Sequence, residues 1–456
     1  MADPQAEEFL DDLQGNILRG HGRDFAAHFL LRMIGEPRDV ANWIGSFAES
    51  VTTALASRDL AAVWRSDRGV GEPFACIALS HQGYRYLGVS DEAIPLAGGA
   101  FKGPVDDRYF ALGMKNQSNV PPPGRHYNDP PASNWEASYR GDIHALVILA
   151  DNDNQRLAER IDLFRQAIDG VFEVAALETG RKLKKEFDRG TLVIEHFGYQ
   201  DGVSQPLMIK QKIEEEVARR GNDHWSPEAP LSLALAPDPA GGYGSFLVFR
   251  KLEQNVLGFS QALVDGSAVM GVSPEEVGAM AVGRTTDGIP LVGDRPADPA
   301  VDPNDFHFDQ DPDGSACPFH AHIRKTNPRG DIARILGGFD AFERARRIVR
   351  RGITYGERPD LSDGGPPPSS GVGLLFMCYQ SNLDSFIIQQ EGSDGNDFVR
   401  PGTGVDAVIG QNESPVAQTW PSNGDVEFTM ANFVRMLGGE YFFAPSMTFL
   451  RSLSEM

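Results

Sequence analysis

Four short apolar runs limit what this chain can become: Pro73–Leu79, His144–Ala150, Ser245–Arg250 and Gly373–Gln380. They are short, continuously apolar and bounded by turn residues, which fits inner strands of a sheet. Residues 15–34 add a glycine-rich turn leading into the run Ala27–Met33. Arg38–Ala54, Leu157–Val174 and Gly337–Arg351 carry apolar residues at three- and four-residue spacings and are expected to be helices. In the last, Phe339, Phe342, Ala345, Ile348 and Val349 fall on one side and arginines on the other. Pro121–Ala132, Ser226–Gly242 and Asp294–Gly314 are rich in Pro, Gly, Asp or Asn and are expected to be loops. Alternating strands and helices suggest α+β layers, with helices covering one face of a sheet.

At 456 residues the chain exceeds what one core usually serves, so two or more domain-sized units are expected. With 41% hydrophobic and 23% charged residues, it can bury a core large enough to enclose a cofactor. A net charge of −22 argues against nucleic acid and anionic lipid as partners, since both need clustered Lys and Arg. No apolar run approaches the ~18 residues of a membrane-spanning helix. The start, Met1-Ala2-Asp3-Pro4, does not read as a secretory signal, and a cytoplasmic location is expected. Cys76, Cys317 and Cys378 are distant and odd in number, so no disulfide framework is implied.

Chemistry concentrates in three segments. Cys317-Pro318-Phe319-His320-Ala321-His322 places two histidines and a cysteine together. This suits part of a zinc site, though no second pair supplies four ligands. It equally suits one axial histidine to haem iron, or two loop histidines with ordinary hydrogen bonds. In Gly198-Tyr199-Gln200-Asp201-Gly202 one carboxylate sits between glycines, where the backbone can approach a flat group or simply turn. Arg346-Arg347-Ile348-Val349-Arg350-Arg351 offers fixed positive charge to a pocket, or a solvated helix face. No Gly-rich segment ends in the Lys-Ser/Thr of a phosphate loop.

Taken together, these segments resemble the dye-decolourising peroxidase family, in its larger-chained, non-exported subgroup. The signature is Phe197-Gly198-Tyr199-Gln200-Asp201-Gly202-Val203-Ser204-Gln205-Pro206. Other family-like stretches are Gln14–Leu18, Asp142–Leu146, Phe246–Leu252, Gly283–Gly288, Gly373–Gln380 and Gly438–Phe442. The resemblance implies two ferredoxin-like α+β domains with antiparallel sheets enclosing one haem b. The N-terminal one, 1–205, would carry the distal Asp, and 206–456 would be the haem-binding one. It implies His322 as iron ligand, Asp201 as distal acid–base, Arg350 as distal arginine, and Leu374 and Phe376 over the distal haem face. Asp406 is the candidate partner of His322, and Tyr355 matches a surface position that relays electrons. Two departures stand out: His320 is a rival ligand, and Thr354 replaces a proline before Tyr355, loosening the expected geometry.

In such a site Asp201 would shuttle a proton between the two peroxide oxygens, with Arg350 stabilising charge on the departing one. A carboxylate base works best ionised yet weakly basic, so activity is expected to peak at acidic pH. The implied partners are hydrogen peroxide and aromatic reductants such as dyes and phenols, with manganese(II) left open by the acidic surface. The rival reading is a haem-binding storage or iron-release protein with little turnover. The sequence leaves oligomeric state and packaging partner open.

Overall fold

The computed structural model describes residues 6–67, 71–96, 108–117, 128–221, 223–293, 304–337, 343–397, 399–412, 414, 416–421 and 425–455. Phe339 and Phe342, and much of the expected loops 121–132 and 294–314, lie outside the described residues.

The apolar runs do become inner strands. In the N-terminal half, β1 (Phe25–Met33), β2 (Phe74–Leu79), β3 (Ala145–Asp151) and β4 (Phe172–Arg181) pair antiparallel in the order β2-β3-β1-β4. Every residue of β2 and β3 is buried, which is why these runs lack polar alternation. Helix α1 (Pro37–Phe47) links β1 to β2, and α2 (Asn154–Ala167) links β3 to β4, completing a ferredoxin-like β-α-β-β-α-β unit. Asp153 caps α2 by accepting from the Gln155 and Arg156 amides. Trp43 of α1 stacks on Phe47 and meets Phe164 and Phe172 edge-on, locking both helices to the sheet.

The C-terminal half repeats the plan. Strands β5 (Tyr243–Gln254), β6 (Val349–Arg350), β7 (Ile353–Tyr355), β8 (Gly373–Gln380) and β9 (Val434–Ala444) contribute the order β7-β8-β5-β9, with β6 also on β8. Helices α3 (Val256–Met270) and α4 (Pro274–Val282) follow β5, with α5 (His322–Thr326) and α6 (Asp384–Asp394) later in the chain. Asn255 starts α3, Gly271 in the left-handed region ends it, and a Ser273/Glu276 capping box starts α4. The two halves join into one 10-stranded sheet through a single pair, Phe443 with Leu79. Its outer strands meet as well: Gly180 of β4 lies under Ile353, where a Cβ would come within 2.5 Å, and the Thr354 hydroxyl donates to the Arg181 carbonyl. Thr354 therefore tightens the place where a missing proline was expected to loosen it.

Two expected helices need correction. Leu157–Val174 stops being helical at Ala167, because Gly170 takes φ +73° and turns the chain into β4. The segment expected to be helical up to Arg351 instead ends in strand β6, where Arg350 pairs with Cys378 and Val349 with Tyr379. The β-branched pair Ile348-Val349 gains more from that ladder than from a helix. Among the described residues no single helix is long and apolar enough to cross a membrane. Helices α3 and α4 reach that length only as a pair bent by 107°.

Candidate active site

The C-terminal half-sheet gives one face to a cavity of about 280 Å³. Strand alternation explains the floor. Leu374 and Phe376 of β8 point into it, while Gly373, Leu375 and Met377 between them are buried on the other face. Across the ladder Leu374 sits beside Leu252 and Phe376 beside Arg250, and Leu252 in turn pairs with Met436 of β9. A broad apolar floor results.

His322 opens α5 and lines the cavity. Its Nδ1 lies 2.9 Å from Oδ2 of Asp406. Burial alone would raise the Asp406 pKa, but His322 and the amides of Val408 and Ile409 outweigh it, so the carboxyl stays below its usual range. An ionised Asp406 can only accept, so Nδ1 carries a proton and Nε2 is the ring nitrogen left to ligate iron. Among the described residues Nε2 makes no hydrogen bond. Two residues on, the fully buried Arg324 anchors α5: it bonds Asp331 at 2.6 Å, Asp311 at 2.9 Å and the Cys317 carbonyl.

His320 does not reach the cavity. It is buried, packs 4.3 Å from the Trp420 ring, and its pKa is pushed down to about 3 by burial. The neighbouring lysine, Lys325, donates to the Gly392 and Gly395 carbonyls and is pushed down to about 8 by burial. Cys317 is likewise buried, its thiol pushed up to about 12. Among the described residues no group of three or more His, Cys, Asp or Glu is arranged to hold a metal ion, and Cys317 and His320 are buried away from the cavity that His322 lines.

Asp201 and Arg350 line the same cavity. Asp201 follows the strand Gly190–Ile194, and its amide donates to the Val193 carbonyl. Glycines 198 and 202 take φ +96° and +78°, values only glycine adopts freely, and so shape this turn. Arg350 Nη2 donates to the Val203 carbonyl at 2.6 Å, and its amide to Gln205 Oε1 at 3.1 Å. Arg350, on β6, is thus tied to the same loop that carries Asp201. Tyr355 is the exception among the expected residues. It is only 9% exposed and does not line the cavity, so the surface position expected for it is not observed. Its ring lies under Lys251, and burial pushes its phenol pKa up.

Several cavity residues went unremarked in the sequence. Arg250 faces inward from β5 and pairs with Asp129, which also accepts from Gln390. Asp394 is pushed up to about 7 by burial, and Glu195 is raised by burial despite bonds from Phe197, Gln254 and Tyr199. Arg329 and Arg347 lie along another part of the lining and donate to backbone carbonyls. The signal for Arg250 was present: a charged residue that ends the apolar run Phe246–Phe249 and alternates with Leu252 and Gln254. Asp129, in a proline-rich loop, offered none.

An apolar floor, one bare imidazole nitrogen backed by a carboxylate, and arginines along the lining fit a haem: axial ligation, a flat macrocycle and acidic side chains. Fold and site together define an α+β haem peroxidase. The multifunctional dye peroxidase DyP2 of Amycolatopsis sp. is 36% identical over 481 residues, covering 98% of this chain and 97% of that protein. Its crystal structure superimposes with a TM-score of 0.85 at 34% identity, covering 99% of this chain and 97% of that one. A DyP-type peroxidase of Anabaena sp. gives a TM-score of 0.88 at 38% identity, covering 98% of this chain and 95% of that one. A stretch of 100 residues is 34% identical to the deferrochelatase of Yersinia pestis, covering 21% of this chain and 19% of that protein. No protein-family model matches the chain. The chain belongs to the dye-decolorizing peroxidase family of haem enzymes.

Proposed function

We propose that this chain binds one haem b through His322 and uses it to reduce hydrogen peroxide at the expense of dyes, phenols and other aromatic donors. The observation that carries the reading is His322, held by Asp406, lining one cavity with Asp201 and Arg350. The names of the two dye peroxidases above support the donor class. The acidic surface extends the proposal to manganese(II). The three buried free cysteines suit a reducing, cytoplasmic setting. We place the boundary between two ferredoxin-like units near residue 205, with the distal carboxylate on the first.

Bound haem would supply the redox centre at which peroxide takes up two electrons. Asp201 carries a proton from one peroxide oxygen to the other, so that the departing oxygen leaves as water. Arg350 stabilises the negative charge that builds on that oxygen before the proton arrives. Asp406 fixes the His322 tautomer and makes its Nε2 a stronger donor. Leu374 and Phe376 keep the floor dry, which strengthens both charge effects.

An absorption spectrum of the purified protein, before and after peroxide, tests the reading. A Soret band that shifts within the mixing time, with dye oxidation following, supports it. Asp201→Asn should slow the peroxide reaction by about 10²-fold or more. The likeness to deferrochelatase favours a second reading, in which haem iron is released with little turnover. A Soret band that peroxide leaves unchanged, with iron appearing in solution, would select it.

A further inference from the structure

Arg351 is partly buried, yet among the described residues no carboxylate pairs with it. Its guanidinium instead gathers three backbone carbonyls: Nε donates to Asn16 at 2.6 Å, Nη1 to Arg350 at 2.8 Å and Nη2 to Ile17 at 2.9 Å. Withdrawing a guanidinium from water without a counter-charge is unfavourable, and desolvation pushes its pKa down to about 10. An apolar side chain of similar volume would avoid that cost, so stability alone does not account for the residue.

Two of those carbonyls, of Asn16 and Ile17, belong to a tightly held segment. Gln14, fully buried, accepts from the Ile77 amide and donates to the Ile77 and Pro445 carbonyls. It thereby bridges β2 and the end of β9, beside the single strand pair that joins the two half-sheets. Gly15 is pressed against Phe74 and the Thr52 carbonyl, where a Cβ would meet both at 2.9 Å. Asn16 takes φ +73° and accepts from the His21 amide. The Arg351 amide is in turn tied to the Met377 carbonyl of β8.

We infer that Arg351 is a positioning residue for the peroxide step, fixing β6 against the 14–17 segment so that Arg350 is aimed into the cavity. This rests on the reading of Arg350 as the group that stabilises the departing oxygen. The N-terminal segment then serves as a fixed reference for a residue more than 300 positions away.

The test uses the full-length haem-loaded enzyme with Arg351→Met, Arg351→Lys and Arg350→Lys. Four quantities are read: kcat/KM for peroxide, KM for the dye, the fluoride dissociation constant from absorption, and Tm. Fluoride is a small anion that reports the guanidinium's reach without turnover. A shift of about 1 Å in a reacting group costs up to about 10²-fold. Arg351→Met should therefore lower kcat/KM for peroxide by about tenfold or more and weaken fluoride binding, with the dye KM unchanged. Arg351→Lys, able to reach fewer carbonyls, should lose about threefold. A lower Tm with unchanged peroxide kcat/KM and fluoride affinity in Arg351→Met would overturn the proposal. If Arg351→Met does not fold, wild-type values in Arg351→Lys overturn it. Should Arg350→Lys react with peroxide like the wild type, the reading of Arg350 falls first, and that outcome is separable from the others.

Discussion

The segment carrying His322 and the segments carrying Asp201 and Arg350 serve one cavity but are held by different physics. Around α5 the anchors are charges: Arg324 between Asp311 and Asp331, and Asp406 behind the imidazole. Around the distal pair the anchors are neutral, with Arg350 on the Val203 carbonyl and Gln205, and Arg351 on three carbonyls. The first arrangement resists displacement because an orphaned buried charge is costly. The second leaves the arginine charge uncancelled, available to a developing anion. On the proposed reading, charge pairing would secure the ligand, and the uncancelled arginine would serve the peroxide step.

Breaking the charged anchor should have the largest effect. Arg324→Met leaves Asp311 without its guanidinium and Asp331 with Arg334 alone, and should cost about 3–5 kcal/mol in urea unfolding. A loss below about 1 kcal/mol would mean that the network is not what holds α5. Next comes Asp406→Asn, which keeps the shape but removes the anionic acceptor. Haem affinity should fall by about 10–100-fold in haem transfer to apomyoglobin, while the same protein's Tm without haem changes little.

A smaller, pH-dependent effect sharpens the contrast at the cavity's edge. Burial pushes the Asp394 carboxyl from 3.8 up to about 7, so between those values the folded chain keeps a proton that the unfolded chain has released. Stability from this group is therefore greatest at low pH and falls as pH rises through that window. Asp394→Asn should flatten the decline, read as urea midpoints at pH 4 and pH 8. Glu440, also pushed up to about 7 by burial, keeps its own share. The smallest change is Thr354→Val, which loses the hydroxyl bond to Arg181 where the sheet's outer strands meet. It should cost about 0.5–1.5 kcal/mol in thermal unfolding and leave peroxide kinetics intact.

The strands of both half-sheets were legible because a buried run shows its burial in composition: Phe74–Leu79 and Gly373–Gln380 read directly. Segment boundaries were not. Gly170 ends a helix through a backbone angle that apolar spacing does not encode, and Val349-Arg350 becomes strand only because β8 lies beside it. In the site, His322 and His320 were equivalent by residue type, the family motif's spacing favoured His322, and the fold turns that one to the cavity and the other to Trp420. Asp406 was reached through the family resemblance, and the fold places it 2.9 Å from the His322 ring. Tyr355 went astray because exposure depends on what Lys251 and its neighbours cover. Arg250, Asp129 and Asp394 escaped notice because their pairing spans more than 100 residues of chain.

We propose that His322, and not its neighbour two residues earlier, is the protein's ligand to haem iron. Absorption and resonance Raman spectra of haem-reconstituted His322→Ala and His320→Ala decide it. His322→Ala should lose the iron–histidine stretch, or the haem itself. His320→Ala should keep both, with only a small loss of Tm from the cavity beside Trp420. An intact iron–histidine stretch in His322→Ala, or its disappearance in His320→Ala, would contradict it.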